Sequence, residues 1–527
     1  MDSDRRSDYF TVRSENGGIR DLYRFLVLAD IASGNKFIET SNEDCVMGRD
    51  TWDHRWVIFI SIIVRKIIAF FGKPMEWTGY CFEFFLNLIS DNGNILRLLL
   101  NLLQGKAVIP KRGSETFISV IGHLDGRIDL LLLHKKTTSS TAIEEEEDDD
   151  TSASLWRRVL QQPLNNNTSL MDLCIMTSKL AYENAKVVRN VVNQHWKMHF
   201  VDFYNCWNGR TDYQKEKSTK VFIMSDKAED ASLIVIGFRG TEPFNVDNWS
   251  TDFDYSWYEI PKLGKVHMGF IEALGLGNRA DISTFDQAVL LKDNNNNNVL
   301  KEEEKESPSS GSNSSSSSSP EMVERSAYYA VRSKLKSMLK QHEKAKFVVT
   351  GHSLGGALAI LFPTVLVLHK EKEVMERLAG VYTFGQPRVG NRELGRLMEE
   401  EDMIGRSRYL RVVYCNDIVP RLPLDNKTFL YKHFGVCLYY DSLFVEKNMD
   451  QDDEPNPNYF GFQFLIPEYF NAVWELIRSI TMGCRYGPDY RETWLSLLLR
   501  VAGLAFPGLS AHAPSNYVDS IRLAGKS

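Results

Sequence analysis

The stretch FVVTGHSLGGALAILF, residues 347–362, joins a β-rich apolar segment to a helix-forming run through a serine flanked by glycines. Its centre, GHSLG, fits the pattern G-x-S-x-G, in which a sharp strand-to-helix turn exposes the serine hydroxyl. Gly351 and Gly355 are small enough to let the strand and the helix approach closely. The sequence therefore predicts a nucleophile elbow, with Ser353 as the nucleophile and the amide of Leu354 as an oxyanion donor.

Strands and helices alternate on both sides of this turn. The patterns predict strands over 231–240, 379–385 and 408–416, and helices over 321–342 and 354–369. Such alternation is typical of a mainly parallel sheet with helices on both faces. Together with the serine turn, it predicts an α/β-hydrolase fold.

Two low-complexity segments interrupt the chain. Residues 135–154 are polar and acidic, and residues 293–320 are rich in asparagine, glutamate and serine. Neither can bury enough apolar area to offset the entropy of ordering, so both are expected to be disordered. The first is a linker, while the second interrupts the strand and helix pattern and is an insertion into a domain. The serine tract has an alternative interpretation as a site of phosphorylation.

The N-terminal region, residues 1–134, contains apolar segments that predict helices. Residues 56–72 are apolar but are broken by Arg65 and Lys66, and a spanning helix needs about 20 largely uncharged residues. With the apolar segments 82–89 and 95–103, they predict helices that lie on a lipid or membrane surface. The alternative is a helical subdomain packed on the catalytic core.

Composition and charge exclude some classes of function. The net charge is −7, and residues 144–150 alone carry seven negative charges, so no basic surplus indicates nucleic-acid binding. The charged N-terminus has no early apolar stretch, which disfavours a secretory signal. Seven cysteines without a CxxC pair favour a reducing environment on the cytosolic face and predict no metal site.

A serine nucleophile needs a base oriented by a carboxylate, and in this fold the acid precedes the histidine in the chain. Asp417 comes just after the strand at 408–416, at the same edge of the sheet as Ser353, and is the favoured acid. Asp425 and Asp441 are weaker alternatives, in a polar turn and after an aromatic strand.

Three histidines follow the serine at a distance. His512 lies in a loop after an apolar helix and is the favoured base. His433 is an alternative, but it is predicted to lie in a strand with a structural role, and His369 ends the helix that leads away from Ser353. His352 is predicted to be structural.

The second oxyanion donor should come from the loop after an earlier strand. Thr241 follows the strand at 231–240 and could use its amide and its hydroxyl. The alternative is an ordinary turn that ends a strand.

At these residues the chain resembles the class 3 lipases of fungi and plants. Four blocks match the family in order: GFRGT (237–241), GHSLGGALA (351–359), YTFGQPRVGN (382–391) and NDIVPRLP (416–423). The resemblance covers roughly residues 168–520 and implies a lipase domain at 168–527, a Ser353–Asp417–His512 triad and an oxyanion hole of Thr241 and Leu354. It also implies a lid within residues 242–258.

The N-terminal extension and the ending HAPSNYVDSIRLAG (512–525) are similar to plant oil-body lipases. That resemblance implies triacylglycerol or another acyl lipid as substrate and a position at the surface of lipid droplets, without cofactor or metal. A phospholipase or galactolipase with the same triad is an alternative. So is a lipase-like signalling scaffold without chemistry, although the intact triad argues against a scaffold.

Overall fold

A computed structural model describes residues 7–41, 52–127, 131, 156–163, 166–207, 217–261, 263–290, 326–400, 403–423, 431–449 and 462–524. Both low-complexity segments, 135–154 and 293–320, lie outside these residues, so the expectation of disorder there stays a prediction.

The N-terminal part of the chain contains two short strands and five helices among its described residues. They are β1 (Tyr9–Val12), α1 (Ile19–Val27), α2 (Ile31–Gly34), β2 (Ile38–Thr40), α3 (Trp52–Asp91), α4 (Ile95–Leu103) and α5 (Val120–Leu124).

The central part alternates strands and helices. Its elements are α6 (Thr168–Leu180), α7 (Ala185–Asn190) with the π-helical turn Val191–His195, β3 (His199–Trp207), β4 (Lys217–Ser225), β5 (Leu233–Phe238), α8 (Val246–Asp252), β6 (Trp257–Ile260), β7 (Gly264–His267), α9 (Met268–Ala273), α10 (Ser283–Leu290), α11 (Ala327–Gln341), β8 (Lys346–His352), α12 (Leu354–Leu368), α13 (Lys372–Met375), β9 (Leu378–Phe384), β10 (Gly390–Asn391), α14 (Arg392–Met398), β11 (Tyr409–Tyr414), β12 (Tyr431–Lys432), β13 (Val436–Tyr440) and β14 (Glu446–Met449).

Within the described residues, four helices follow β14: α15 (Phe462–Tyr486), α16 (Trp494–Gly503), α17 (Pro507–Ala511) and α18 (Pro514–Leu523). Short 3₁₀ segments lie at Arg406–Arg408, Val419–Arg421 and Pro488–Tyr490.

In the part of the chain that the structure describes, the larger sheet has eight strands in the order β14-β13-β11-β9-β8-β5-β4-β3. The five strands from β13 to β5 are parallel to their neighbours, and the outer strands are antiparallel. Side chains of β8 alternate between two cores, because Phe347 and Val349 pack on the side of α11 and α12 while Val348 packs on the side of α6 and α18. The α/β class and the mainly parallel sheet are confirmed.

The predicted elements agree with this sheet at all but one place. The strands expected at 231–240, 379–385 and 408–416 are β5, β9 and β11, and the two predicted helices correspond to α11 and α12. The expectation that His433 lies in a strand is wrong, because it falls between β12 and β13. Gly435, at φ 81°, takes a backbone conformation that interrupts the extended chain there.

The second sheet joins the N-terminal region to the rest of the chain. It has the order β12-β10-β7-β6-β1-β2 and is antiparallel throughout. Phe10 of β1 pairs with Trp257 of β6, and their rings stack with centroids 6.0 Å apart. Residues from the first and the middle thirds of the chain therefore share one sheet.

Helix α3 contains both predicted segments, 56–72 and 82–89, and one side of its N-terminal part is buried. Ile58 and Ile62 are fully buried in the core that Phe10 also enters. Arg65, which breaks the apolar run in the sequence, is buried as well: its guanidinium donates to the Val12 carbonyl at 2.8 Å and to Asp254 at 3.1 Å. The charge in this apolar segment thus anchors the helix to the second sheet.

From Phe70 onward, helix α3 presents large apolar side chains to solvent, and helix α4 does so as well. Phe70 is 78% exposed, Trp77 69% and Leu103 86%. Within the described residues, no helix is both long and apolar enough to cross a membrane.

Candidate active site

Ser353 lies at the turn between β8 and α12 in a backbone conformation that few non-glycine residues adopt. Its φ is 58° and its ψ is −134°. The Ser353 amide donates to the Phe384 carbonyl of β9 at 2.9 Å, which fixes the turn against the neighbouring strand. A side chain at Gly351 would overlap the Gly355 carbonyl, and one at Gly355 would overlap the Phe238 carbonyl. Both positions thus accept only glycine, as the elbow pattern predicts.

The two expected oxyanion donors lie on either side of this turn. Leu354 begins α12, and the first amides of a helix have no partner within the helix. Thr241 follows β5 and is buried, and a side chain at the preceding Gly240 would overlap the His352 carbonyl. The loop that carries Thr241 therefore lies directly against the elbow.

Thr241 contacts a carboxyl group that sequence reasoning missed. Its hydroxyl is 3.1 Å from Oδ2 of Asp252, the last residue of α8. Burial raises the pKa of Asp252 to about 7, opposed by the Thr241 hydrogen bond and the nearby His512. The sequence shows Asp252 only as one of several acids within residues 242–258.

Asp417 and His512 are brought together from positions 95 residues apart. Nδ1 of His512 is 2.7 Å from Oδ2 of Asp417, and the other carboxylate oxygen accepts the Val419 amide at 2.9 Å. Asp417 is fully buried. Of the weaker candidates, Asp441 accepts amides in its own turn, including Leu443 at 2.9 Å, and Asp425 lies outside the described residues.

His512 also lies beside the elbow. Its carbonyl accepts a hydrogen bond from Nε2 of His352 at 2.9 Å, and the two imidazole centroids are 4.5 Å apart. The other candidate bases are engaged elsewhere, since His433 bonds to the Pro420 carbonyl at 2.6 Å and His369 bonds to Tyr328 at 2.6 Å.

His352 connects the elbow to the segment that carries His512. Its Nδ1 lies 2.8 Å from the Tyr182 hydroxyl, and burial holds its pKa well below the usual range. A neutral ring that donates from Nε2 to a carbonyl must accept at Nδ1, so the Tyr182 hydroxyl is the donor. The structural role expected for His352 agrees with these contacts.

Tyr517 is a further residue that sequence reasoning missed. It is fully buried on α18, and its hydroxyl donates to the same Asp417 oxygen that His512 contacts. Gly385 makes room for this group: its φ is 58°, and a Cβ atom there would lie 2.8 Å from both the Asp417 carboxylate and the Tyr517 hydroxyl. The tyrosine is visible in the sequence only as part of the C-terminal segment 512–525.

We expect Tyr517→Phe to lower kcat about tenfold with little change in KM, because the Tyr517 hydroxyl fixes the orientation of the Asp417 carboxylate that positions His512. The acid limb of the kcat/KM profile should move to higher pH, since a carboxylate with one donor fewer holds the imidazolium cation more strongly. Rates measured between pH 5 and 9, roughly the range in which histidine titrates, check this. The control is Tyr409→Phe, which removes a buried bond to Gln386 and should not move the limb. An unmoved limb in Tyr517→Phe would contradict the assignment.

Helix α8 occupies the place expected for a lid, and α3 packs against both of its ends. The Ser61 hydroxyl donates to the Phe253 carbonyl at 2.7 Å, and the rings of Phe82 and Phe244 meet at 6.1 Å. A cavity lies between α3 and the loop after Thr241. Its lining includes Tyr80, Glu83, Arg112, Tyr182, Glu242 and Phe244.

Comparison with known proteins gives matches that cover up to 98% of the chain. Residues 235–427 match the family described as lipase (class 3). The triacylglycerol lipase OBL1 of Nicotiana tabacum is 57% identical over 98% of this chain and 94% of its own length, and that of Arabidopsis thaliana is 53% identical over 98% and 95%. Among solved structures, lipase II from Rhizopus niveus is 22% identical over 48% of this chain and 69% of its own, with a TM-score of 0.30.

Proposed function

The chain belongs to the class 3 lipases and is a carboxylic ester hydrolase, a triacylglycerol lipase, and we propose that it works at the lipid-droplet surface through a Ser353–His512–Asp417 acyl-enzyme mechanism. The observation that supports this mechanism best is the 2.7 Å contact between His512 and the buried Asp417, formed beside the strained turn that carries Ser353.

The first half of the reaction forms the acyl-enzyme. His512 takes the Ser353 proton while the hydroxyl oxygen bonds to the ester carbonyl carbon. The bond from that carbon to the alcohol oxygen then breaks, and His512 gives the proton to the departing glyceride alcohol. In the second half, water repeats these steps on the acyl-enzyme and releases the fatty acid.

Asp417 and its hydrogen-bond partners keep His512 in the tautomer and orientation that the reaction needs. The carboxylate accepts the Nδ1–H of His512, which leaves Nε2 as the proton acceptor for Ser353. It also stabilises the imidazolium cation that forms in the transition state. Tyr517 and the Val419 amide fix the carboxylate, and His352 fixes the main chain of His512.

The amides of Leu354 and Thr241 hold the oxyanion. Both belong to backbone that closely packed contacts keep in place, so they need no reorganisation during the reaction. The loss of one such donor typically lowers kcat by about 10²–10³.

Attachment to lipid is supported by the apolar side chains that α3 and α4 expose. On α4, Leu98 is buried whereas Leu96 is 73% exposed and Leu103 86% exposed. Since one side of the N-terminal part of α3 belongs to the core, deleting residues 56–104 would remove Ile58, Ile62 and Arg65 and damage the fold. The lipid-facing part of the region is therefore α3 from Phe70 onward, together with α4.

Emulsified triacylglycerol tests the function and the attachment together. The purified chain is expected to float with the emulsion on a density gradient and to release fatty acids from it at least about tenfold faster than from bilayer phospholipid or galactolipid. Thin-layer or mass-spectrometric analysis of the products separates the substrates. Faster release from the polar lipids would favour the phospholipase or galactolipase alternative, and a chain that stays in the aqueous fraction would contradict the attachment.

A further inference from the structure

Helices α15 and α16 expose apolar side chains and bury charged ones, which is the opposite of what is expected for a helix in water. Their solvent side carries large apolar side chains, each more than half exposed. We call this surface the C-terminal apolar face and define it by Ile466, Phe470, Ile477, Ile480, Trp494 and Leu498. The spacing on α15 follows one side of a helix.

The charged side chains of the same helices point into the protein. Glu468, Glu475 and Arg478, three of the four charged residues of α15, are at most 5% exposed. Glu475 pairs with the buried Arg500 of α16 at 3.3 Å. Burying charges while exposing phenylalanine and isoleucine is unfavourable for a helix surrounded by water.

These buried polar groups tie the two helices to the segments that carry the triad. Arg478 donates to the hydroxyl of Tyr414, the last residue of β11, at 2.9 Å. Arg500 donates to the Asn516 side-chain oxygen at 2.9 Å, and the Asn516 side-chain amide donates to the Ser510 carbonyl at 2.9 Å, two residues before His512. The helices that carry the C-terminal apolar face are therefore connected by hydrogen bonds to the segments that carry Asp417 and His512.

Helix α16, which carries part of the C-terminal apolar face, packs against α3, one of the two proposed lipid-facing helices. Leu495 of α16 packs in one small cluster with Leu86 of α3. Between α16 and His512, Phe506 is 70% exposed. Exposed apolar side chains therefore lie on two helices that contact each other, α3 and α16, and on the segment that leads from α16 to His512.

From these observations we propose that the C-terminal apolar face binds the surface of the triacylglycerol phase and holds the triad against it. The proposal rests on the proposed function and extends its lipid contact from the N-terminal helices to α15 and α16. Triacylglycerol does not dissolve in water, so the enzyme must meet it at an interface, and exposed aromatic and aliphatic side chains bury themselves favourably there. The buried ion pairs keep the two helices folded while their outer side enters the lipid boundary.

The test compares three forms of the full chain: wild type, the triple variant Phe470→Ser/Ile477→Ser/Trp494→Ser, and the control Phe470→Leu/Ile477→Leu/Trp494→Leu. Flotation with a triolein emulsion coated with phosphatidylcholine measures binding. We expect the serine variant to bind at least about tenfold more weakly and the leucine variant to bind like wild type. Hydrolysis of a soluble short-chain ester below its micelle concentration should stay within about twofold in both.

The outcomes separate this proposal from the proposed function. Unchanged flotation of a serine variant that still cleaves the soluble ester would overturn the lipid-binding role alone, whereas wild type inactive on both substrates would overturn the proposed function. A lipid-free wild type that sediments as a dimer, with a monomeric serine variant, would assign the face to a second copy and overturn the proposal. If the triple variant does not fold, Phe470→Ser alone, with an expected loss of about threefold, carries the same test.

Discussion

The Ser353→Ala variant is expected to lose about 10⁶-fold in kcat for ester hydrolysis while it keeps its fold. In the proposed mechanism the hydroxyl oxygen bonds to the ester carbon, and without it only the oxyanion hole and substrate binding would remain. Alanine can take the same backbone conformation, φ 58° and ψ −134°, at a similar cost, so the turn should persist. Initial rates by titration of released acid, with circular dichroism and thermal unfolding of the same sample, check both parts.

Ser520→Ala is the matched control for this variant. Ser520 is also fully buried, and its hydroxyl donates to the Asn516 carbonyl within α18 at 2.7 Å. Its replacement should leave kcat within about twofold, because no step of the reaction uses that group. More than about 1% of wild-type activity in a folded Ser353→Ala sample would contradict the role of Ser353 as nucleophile.

Replacing His512 by alanine should lower kcat by a similar factor, about 10⁶, because a serine hydroxyl without a base is a weak nucleophile at neutral pH. The double variant Ser353→Ala/His512→Ala should be no worse than either single variant, since residues that act as a unit have strongly non-additive effects. Rates of the single and double variants on the same soluble ester measure this coupling.

His433→Ala is the control that addresses the alternative base. It removes the 2.6 Å hydrogen bond to the Pro420 carbonyl and is expected to lower the free energy of unfolding by about 1 kcal/mol with kcat nearly unchanged. Activity that survives in His512→Ala but disappears in folded His433→Ala would transfer the role of base to His433.

The features that could be predicted from the sequence are those that local pattern determines. β8, the glycines around Ser353 and α12 are contiguous, so the elbow follows from residues that are neighbours in the chain. Asp417 comes just after β11 in the sequence. Because parallel strands end at one edge of the sheet, this position predicts that Asp417 lies at the same edge as Ser353. Such signals need no knowledge of distant packing.

The remaining features depend on contacts between distant segments. Tyr517 reaches Asp417 across 100 residues, and the spacing of neither residue indicates that contact. Arg65 appears in the sequence as an interruption of an apolar run, and only the position of Val12 and Asp254 shows that its charge is buried. A hydropathy pattern shows that α15 has an apolar face and a charged face. It does not show which of the two faces is buried, because the pattern is the same in either orientation.

Reaction with a fluorophosphonate, followed by mass mapping of the labelled peptide, tests the triad most directly, since the probe reports which serine is nucleophilic and whether its base is in place. We expect one label per chain, on Ser353, with labelling slowed by orders of magnitude in His512→Ala. A label on another serine of the active protein, or an unchanged rate of labelling at Ser353 in His512→Ala, would contradict it.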